Sequence, residues 1–286
     1  MSSGKRGFTL VELVITIALS TIVVSFMAVF ISGAVTSYTD MVRRTELVDL
    51  AENTLRRIAR DIHRALPNSI RIRTSGSVTA LEMLNTVDGV RYRDRPPPGN
   101  PSQRLQFNAA DDAFNSIGTF NGITRPFSST SHYLSIYNVG VPGADAYELA
   151  NVITPAGTQI DIDSDTEPNE DNIQISPAFQ FAFESPRQRV FLVNGALSYL
   201  CDTTAGTLIR YTGYAITSDQ TDRDSNAELL AAGAASAMIA NQVSVCDMTY
   251  APGTSQRAGL VSLSLSVEDT GESVSLLHQV HVDNVP

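Results

Sequence analysis

The sequence predicts an α+β fold, in which one long N-terminal helix packs against an antiparallel β-sheet body. Three observations lead to this prediction. Residues 13–39 contain no charged side chain, residues 40–66 repeat apolar side chains at helical spacing, and residues 67–286 are dominated by strand-like alternation and turn signals. Two Cys in 286 residues exclude a disulfide-dense scaffold and a four-cysteine metal centre.

Charge is distributed unevenly along the chain, whose formal net charge is −10. Residues 1–73 carry 10 basic and 6 acidic groups, whereas residues 74–286 carry 10 basic and 24 acidic groups. An acidic body repels phosphate backbones, so this composition argues against a nucleic acid as a partner.

The first element is a candidate membrane-spanning helix. Its 27 uncharged residues would extend about 40 Å, and a bilayer core needs about 20 residues. Lys5 and Arg6 precede the run, which predicts a cytoplasmic N-terminus and a translocated remainder. The run is longer than the core of a cleaved secretory signal, and no small-residue cleavage site follows it. Glu12 stands at its start, where a carboxylate either lies at headgroup level or has a function.

Residues 4–12 read Gly-Lys-Arg-Gly-Phe-Thr-Leu-Val-Glu. This string, followed by an apolar helix, resembles the prepilin signature of type IV pilins and type II secretion pseudopilins. The resemblance implies that a prepilin peptidase cleaves between Gly7 and Phe8 on the cytoplasmic side and methylates the new N-terminus at Phe8. It also implies a pilin-like architecture, with major and minor pilins, an inner-membrane assembly platform and inner-membrane lipid as partners.

This interpretation divides the chain into four segments. Residues 1–7 are a leader, residues 8–39 a transmembrane helix, residues 40–66 its amphipathic continuation into the periplasm, and residues 67–286 a β-rich globular domain. The resemblance places the chain in the inner membrane as a single-pass protein before assembly. After assembly it implies a location in a pilus at the cell surface.

Glu12 would be the fifth residue of the processed chain, one helical turn from the new amine on Phe8. In a filament, Glu12 of one subunit could pair with the Phe8 amine of its neighbour. An ion pair of this kind is strongly favoured over two isolated charges in a medium of low dielectric constant. We therefore expect Glu12 to act in assembly.

One face of the periplasmic half-helix carries Arg56, Arg57, Arg60 and Arg64. The simplest interpretation is a solvated face with i,i+4 pairs such as Glu52–Arg56. A patch for lipid or nucleic acid, or a contact with neighbouring acidic subunits, is the alternative, and the acidic chain disfavours DNA.

Turn signals divide the body. Asn194-Gly195 and residues 269–271 each stand between alternating runs and predict β-hairpins. Residues 225–228 form a capping box, which predicts a short helix continuing through an alanine-rich run to about Asn241.

Cys201 and Cys246 both lie in strand-like stretches. If the body is translocated it meets an oxidising compartment, and a Cys201–Cys246 disulfide is then expected. Two buried free thiols are the alternative.

An acidic run is the one grouping with possible site chemistry. Its alternating carboxylates belong to Asp161, Asp163, Asp165 and Glu167. Glu170 and Asp171 follow them. They resemble a calcium loop, although Thr166 stands where the EF-hand pattern requires glycine. A solvated acidic loop is the default, an irregular calcium site is the alternative, and no other metal or cofactor is expected.

The strings at residues 55–62, 65–69 and 278–286 further resemble a minor pilin of the mannose-sensitive haemagglutinin (MSHA) pilus. The resemblance implies a low-copy subunit that helps to initiate or cap that type IV pilus. Two alternatives stay open: a J-type minor pseudopilin of type II secretion, and a pilus-tip adhesin or ligand-binding subunit. We expect no enzyme, because no catalytic motif is present.

Overall fold

The fold is described by a computed structural model that covers residues 7–253, 257–282 and 284–285. It confirms the predicted α+β class. Helix α1 (Leu10–His63) is unbroken over 54 residues, and the chain after it folds into a β-rich body. At about 1.5 Å per residue the helix is about 80 Å long. One face of its second half is buried, and the residues of that face are Leu47, Ala51, Thr54, Leu55, Ile58, Ala59 and Ile62.

The larger layer of the body is an antiparallel sheet of ten strands. These strands are β1 (Arg71–Ser75), β2 (Val78–Tyr92), β3 (Asp111–Ile117), β4 (Phe127–Ser129), β5 (Tyr133–Ser135), β6 (Gln159–Ser164), β7 (Asp171–Phe179), β8 (Arg189–Asp202), β9 (Thr207–Thr212) and β10 (Ala235–Ala240). The main path has the order β10-β9-β8-β2-β3-β7-β6-β4, while β1 pairs with β2 and β5 pairs with β8.

The smaller layer is an antiparallel sheet of order β11-β12-β13. Its strands are β11 (Val243–Ala251), β12 (Gly259–Asp269) and β13 (Glu272–Val282). The hairpin predicted at residues 269–271 is confirmed, because Asp269 pairs with Glu272 across a two-residue turn. Thr270 and Gly271 both have positive φ (48° and 85°), as the tight hairpin turn with matching twist requires.

Helix α1 completes the core between the two sheets. Strand β11 contacts β1, β2 and β8, whereas α1 contacts β13, β12 and β10. One apolar cluster joins the buried face of α1 to Leu81 and Tyr199 of the large sheet and to Val261 and Leu265 of the small sheet. The amphipathic half of the helix is therefore an integral part of the body.

Strand β13 runs parallel to the second half of α1. Near its start, the Arg44 guanidinium lies 3.3 Å from the Glu272 carboxylate. Beyond its end, the backbone N–H of Asn68 donates to the side-chain oxygen of Asn284 at 3.3 Å. The two contacts bracket the second half of the helix.

The hairpin predicted at Asn194-Gly195 is wrong, because β8 continues straight through these residues. Gly195 pairs with Asn85 and Val193 pairs with Thr86, so Asn194 is the extra residue of a β-bulge. Gly195 has a φ of 121°, which a bulge accommodates as well as a turn does. Strand β2 pairs with β8 on both sides of the bulge, and β5 and β9 pair with its other edge before and after the bulge, so the strand stays in the sheet.

The helix predicted from the second capping box is correct in its start and wrong in its end. Ser225 caps α2 (Asn226–Ala231), and Glu228 completes the capping box. Gly233, with a φ of 79°, then turns the chain, and the alanine-rich run forms the edge strand β10. Pairing with β9 outweighs the helix propensity of alanine at this position.

Candidate functional site

Glu12 closes a capping box at the start of α1. Its backbone N–H donates to Thr9 Oγ1 at 3.3 Å, while its carboxylate accepts from the Thr9 backbone N–H at 3.2 Å and from the Thr9 hydroxyl at 3.0 Å. A negative charge is also favourable at a helix N-terminus. The Thr-x-x-Glu spacing of residues 9–12 is the sequence signal of a capping box, and it assigns to Thr9 a role that the prepilin resemblance does not.

The predicted cleavage point lies just before this cap. Gly7 and Phe8 are irregular, and both are exposed, with Phe8 70 % exposed. The leader residues 1–6, including Lys5 and Arg6, lie outside the described part of the chain. The described geometry places the Gly7–Phe8 bond in an accessible, non-helical segment, as a peptidase substrate requires.

Helix α1 leaves an apolar surface uncovered over its first half. It is the one described helix that is long and apolar enough to cross a membrane, and none of its most apolar stretch is buried in the body. Phe26 and Phe30 are among its most exposed side chains. Because a soluble surface rarely shows an apolar patch of this size, the first half is built to contact lipid or other helices.

A polar contact fixes the second half of α1 on the large sheet. Asp61 accepts a hydrogen bond from the Tyr199 hydroxyl at 2.6 Å and another from Arg210 Nε at 2.7 Å. Burial and the hydrogen bond to Asp61 both raise the pKa of Tyr199, so this hydroxyl remains a donor. The sequence placed Asp61 on the helix but contained no local sign of its partners in β8 and β9.

The chain leaves α1 through a hydrogen-bonded junction. Asn68, with a φ of 60°, donates from its side chain to the carbonyls of Asn138 at 2.9 Å and Asn284 at 3.1 Å. Asn138 donates in turn to the Pro67 carbonyl at 2.7 Å. The helix exit, a loop of the body and the C-terminal segment therefore meet at one point.

Arginines of the exposed helix face behave differently from one another. Arg56 pairs with Glu52, as the i,i+4 spacing predicted. Arg57, Arg60 and Arg64 are exposed, and no ion pair to another described residue accompanies them. They present positive charge on a chain that is acidic overall.

The candidate calcium loop is not assembled. Within the described ranges, no group of three or more His, Cys, Asp or Glu side chains could hold a metal ion. The carboxylates of Asp161, Asp163, Asp165 and Glu167 do not converge, because Asp161 and Asp163 lie along strand β6 while Asp165 accepts from the Glu167 backbone N–H at 2.9 Å.

The last two carboxylates of the acidic run are structural. Glu170 is buried and accepts hydrogen bonds from Arg93 and from Ser102. Asp171 is also buried and forms an ion pair with Arg125. Burial works to raise the pKa of Glu170, but the hydrogen bonds from Arg93 and Ser102 outweigh it and hold that pKa below its usual value.

The two cysteines lie on different sheets, Cys201 in β8 and Cys246 in β11. The structure holds them as free thiols, so the predicted disulfide is not formed in it. Interaction with Cys201, together with burial, raises the pKa of the Cys246 thiol. The expected pairing stays a prediction, with the structural consequence that it would link the two sheets.

Comparison with known proteins supports the N-terminal assignment. The family model of the prokaryotic N-terminal methylation motif matches residues 2–28, which include Gly7, Phe8 and Glu12. No curated protein and no solved structure gives a significant match. The motif, the exposed apolar helix and the β-body together support a protein of the type IV pilin or pseudopilin type. A protein of this type implies processing by prepilin peptidase, anchoring in a membrane and other pilins as partners.

Proposed function

We propose that this chain is a minor pilin that helps to initiate or cap assembly of an MSHA-type type IV pilus. The observation that carries the proposal is the methylation motif placed directly before an uncovered apolar helix, which continues without a break into the core of a β-body. The apolar half contacts the membrane and then other subunits, while the body remains in the periplasm or on the filament surface. No catalytic role is part of the proposal.

Processing and docking use the first residues of the helix. A prepilin peptidase cleaves between Gly7 and Phe8 and methylates the Phe8 amine. The Glu12 carboxylate, which caps the helix through Thr9, then exchanges this local partner for the amine of a neighbouring subunit. In a medium of low dielectric constant, this ion pair neutralises two charges that would otherwise be isolated. The pairing therefore favours entry into the filament in a single register.

Assignment to the MSHA system depends on three strings that resemble the MSHA biogenesis protein MshO, at residues 55–62, 65–69 and 278–286. The first contains Asp61, whose contacts seat the helix on the large sheet. The second and third meet in space through Asn68 and Asn284. Strings that are distant in sequence but joined in the fold support a common structural role, which is to fix the helix to the body.

Deletion of the gene in its host tests the proposal. Surface pili are imaged by electron microscopy, and secreted enzymes are assayed in the same strain. Loss of pili with intact secretion is the expected result. Loss of secretion with intact pili would instead identify a J-type pseudopilin, and retention of both would favour an accessory adhesin or ligand-binding subunit.

A point variant tests the role of Glu12 separately. We expect Glu12→Ala to be cleaved at Gly7 but to be absent from sheared pili, because the carboxylate that pairs with the neighbouring amine is missing. Immunoblots of membrane and pilus fractions measure both steps. Glu52→Ala, which removes an exposed carboxylate from the periplasmic half of the same helix, is the matched control. Wild-type amounts of Glu12→Ala in pili would refute the charge-pairing argument.

A further inference from the structure

The ten-stranded sheet has an unprotected edge. Strand β10 ends the sheet and, within the described residues, pairs only with β9. The 18 residues 229–246 that contain β10 carry no charged side chain, and Met238 is 63 % exposed. Exposed edges are normally blocked by charged residues, proline or a covering element, since free N–H and C=O groups can otherwise pair with another strand.

A positively charged groove runs beside this edge. It has a volume of ≈ 740 Å³ and lies between α1, β10 and β13. Its walls include Met238 and Ile239 of β10 together with Arg57 and Arg60 of α1, and none of its lining residues is acidic. Thr54 also lines the groove, and its buried hydroxyl lacks a hydrogen-bond partner in the described structure. The groove therefore suits a polar, negatively charged occupant.

The opposite end of the same sheet carries negative charge, which complements the positively charged groove. Strand β4 pairs only with residues 160–162 of β6. Asp163 and Ser164 thus extend beyond it and are exposed. Asp165 and Glu167 follow directly. A hydrogen bond from the Glu167 backbone N–H lowers the pKa of Asp165, which keeps its carboxylate ionised.

We infer that a second copy of this chain docks its acidic segment 163–167, which β4 does not cover, on the β10 edge and into the positively charged groove. The contact joins unlike surfaces of two identical bodies, so it is heterologous. Free backbone groups of β10 can pair with the uncovered edge of Asp163 and Ser164, and Arg57 and Arg60 favour an acidic segment over a neutral one. The contact is between bodies and does not require the Glu12 pairing, so the two proposals can fail separately.

Site-specific cross-linking in host membranes tests the inference. A benzophenone-bearing residue replaces Met238 in the full-length chain, and the same residue replaces Val141, a loop position of 50 % exposure, as the control. We expect ultraviolet light to give a dimer from position 238 whose cross-linked peptide lies within residues 159–171. Absence of a dimer, a dimer joined elsewhere, or capture of a different protein would overturn the inference.

Charge exchange makes the test independent of folding defects. Arg57→Glu with Arg60→Glu should lower the dimer yield about tenfold, which corresponds to about 1.4 kcal/mol. Adding Asp163→Arg with Glu167→Arg should restore it, because opposite charges then face each other again. Failure of the combined variant to recover dimer, while each chain retains wild-type thermal stability, would also refute the arrangement.

Discussion

Removal of the Asp61 carboxylate should loosen the attachment of α1 to the large sheet. Tyr199 is fully buried, and the side chains of Asp61 and Arg210 are only 15 % and 21 % exposed. Asp61→Ala leaves a buried hydroxyl and a half-buried guanidinium without their acceptor. A lost hydrogen bond to a charged group is worth about 1.5–3 kcal/mol, and breaking a buried ion pair about 3–5 kcal/mol. Because the pair retains some solvent contact, we expect a loss of about 3 kcal/mol in the free energy of unfolding.

For a body of this size, a loss of that magnitude lowers the melting temperature by about 6–12 °C. Thermal unfolding of the full chain in detergent, followed by tyrosine fluorescence because the chain has no Trp, measures it. Asp49→Ala is the matched control, since Asp49 is an exposed carboxylate on the same helix. Equal melting temperatures for Asp61→Ala and Asp49→Ala would refute the assigned role of the Asp61 contacts.

Two further predictions concern the cysteines and the acidic run. In protein isolated after export to an oxidising compartment, Cys201 and Cys246 should form a disulfide that stabilises the body by about 3–4 kcal/mol. Mass measurement without reductant detects the disulfide, and two reactive thiols would contradict the prediction. Glu170 should make stability fall at acid pH. Its folded-state pKa is lowered, so the stability it contributes is present above its ordinary value of 4.5 and is lost as pH falls through the folded-state pKa. Glu170→Gln should flatten that acid limb of the unfolding curve, and an unchanged limb would contradict the assignment.

Elements with a strong local pattern could be predicted from sequence. The uncharged run and the amphipathic repeat predicted one helix over residues 8–66, and α1 spans Leu10–His63. The hairpin around Gly271 was predicted correctly because a short turn signal at residues 269–271 stands between two alternating runs, and these runs pair with each other as β12 and β13. In both cases the information lies within a few residues of the element itself.

Predictions that depended on a distant partner were less accurate. Asn194-Gly195 has the composition of a hairpin turn, yet β2 offers pairing partners on both sides of it, and the result is a bulge. The alanine-rich run has high helix propensity, yet the free edge of β9 converts it to β10. The sequence does not show which strand edges are free. The prediction therefore depended on local propensity, whereas in the fold pairing with a neighbouring strand outweighs it.

The candidate site divides in the same way. Gly7, Phe8 and Glu12 could be proposed from sequence because they lie within six residues of one another on one short segment. The acidic run resembles a calcium loop in sequence, but Glu170 forms an ion pair with Arg93 and Asp171 forms one with Arg125. Neither arginine adjoins the run in sequence, and only the fold brings them to it.

The contacts along α1 suggest how force on the helix would reach the body. Arg44 and Glu272 join helix and β13 next to the apolar half of α1, Asp61 joins the helix to the large sheet, and Asn68 with Asn284 closes the far end. These contacts lie on both sides of an apolar interface that includes Leu55, so the second half of α1 cannot slide along the body without breaking several of them together. Displacement of the apolar half out of the bilayer must therefore move the body as a unit. A subunit that is extracted by its helix and incorporated into a filament needs that mechanical coupling, and contacts at both ends of the second half of α1 provide it.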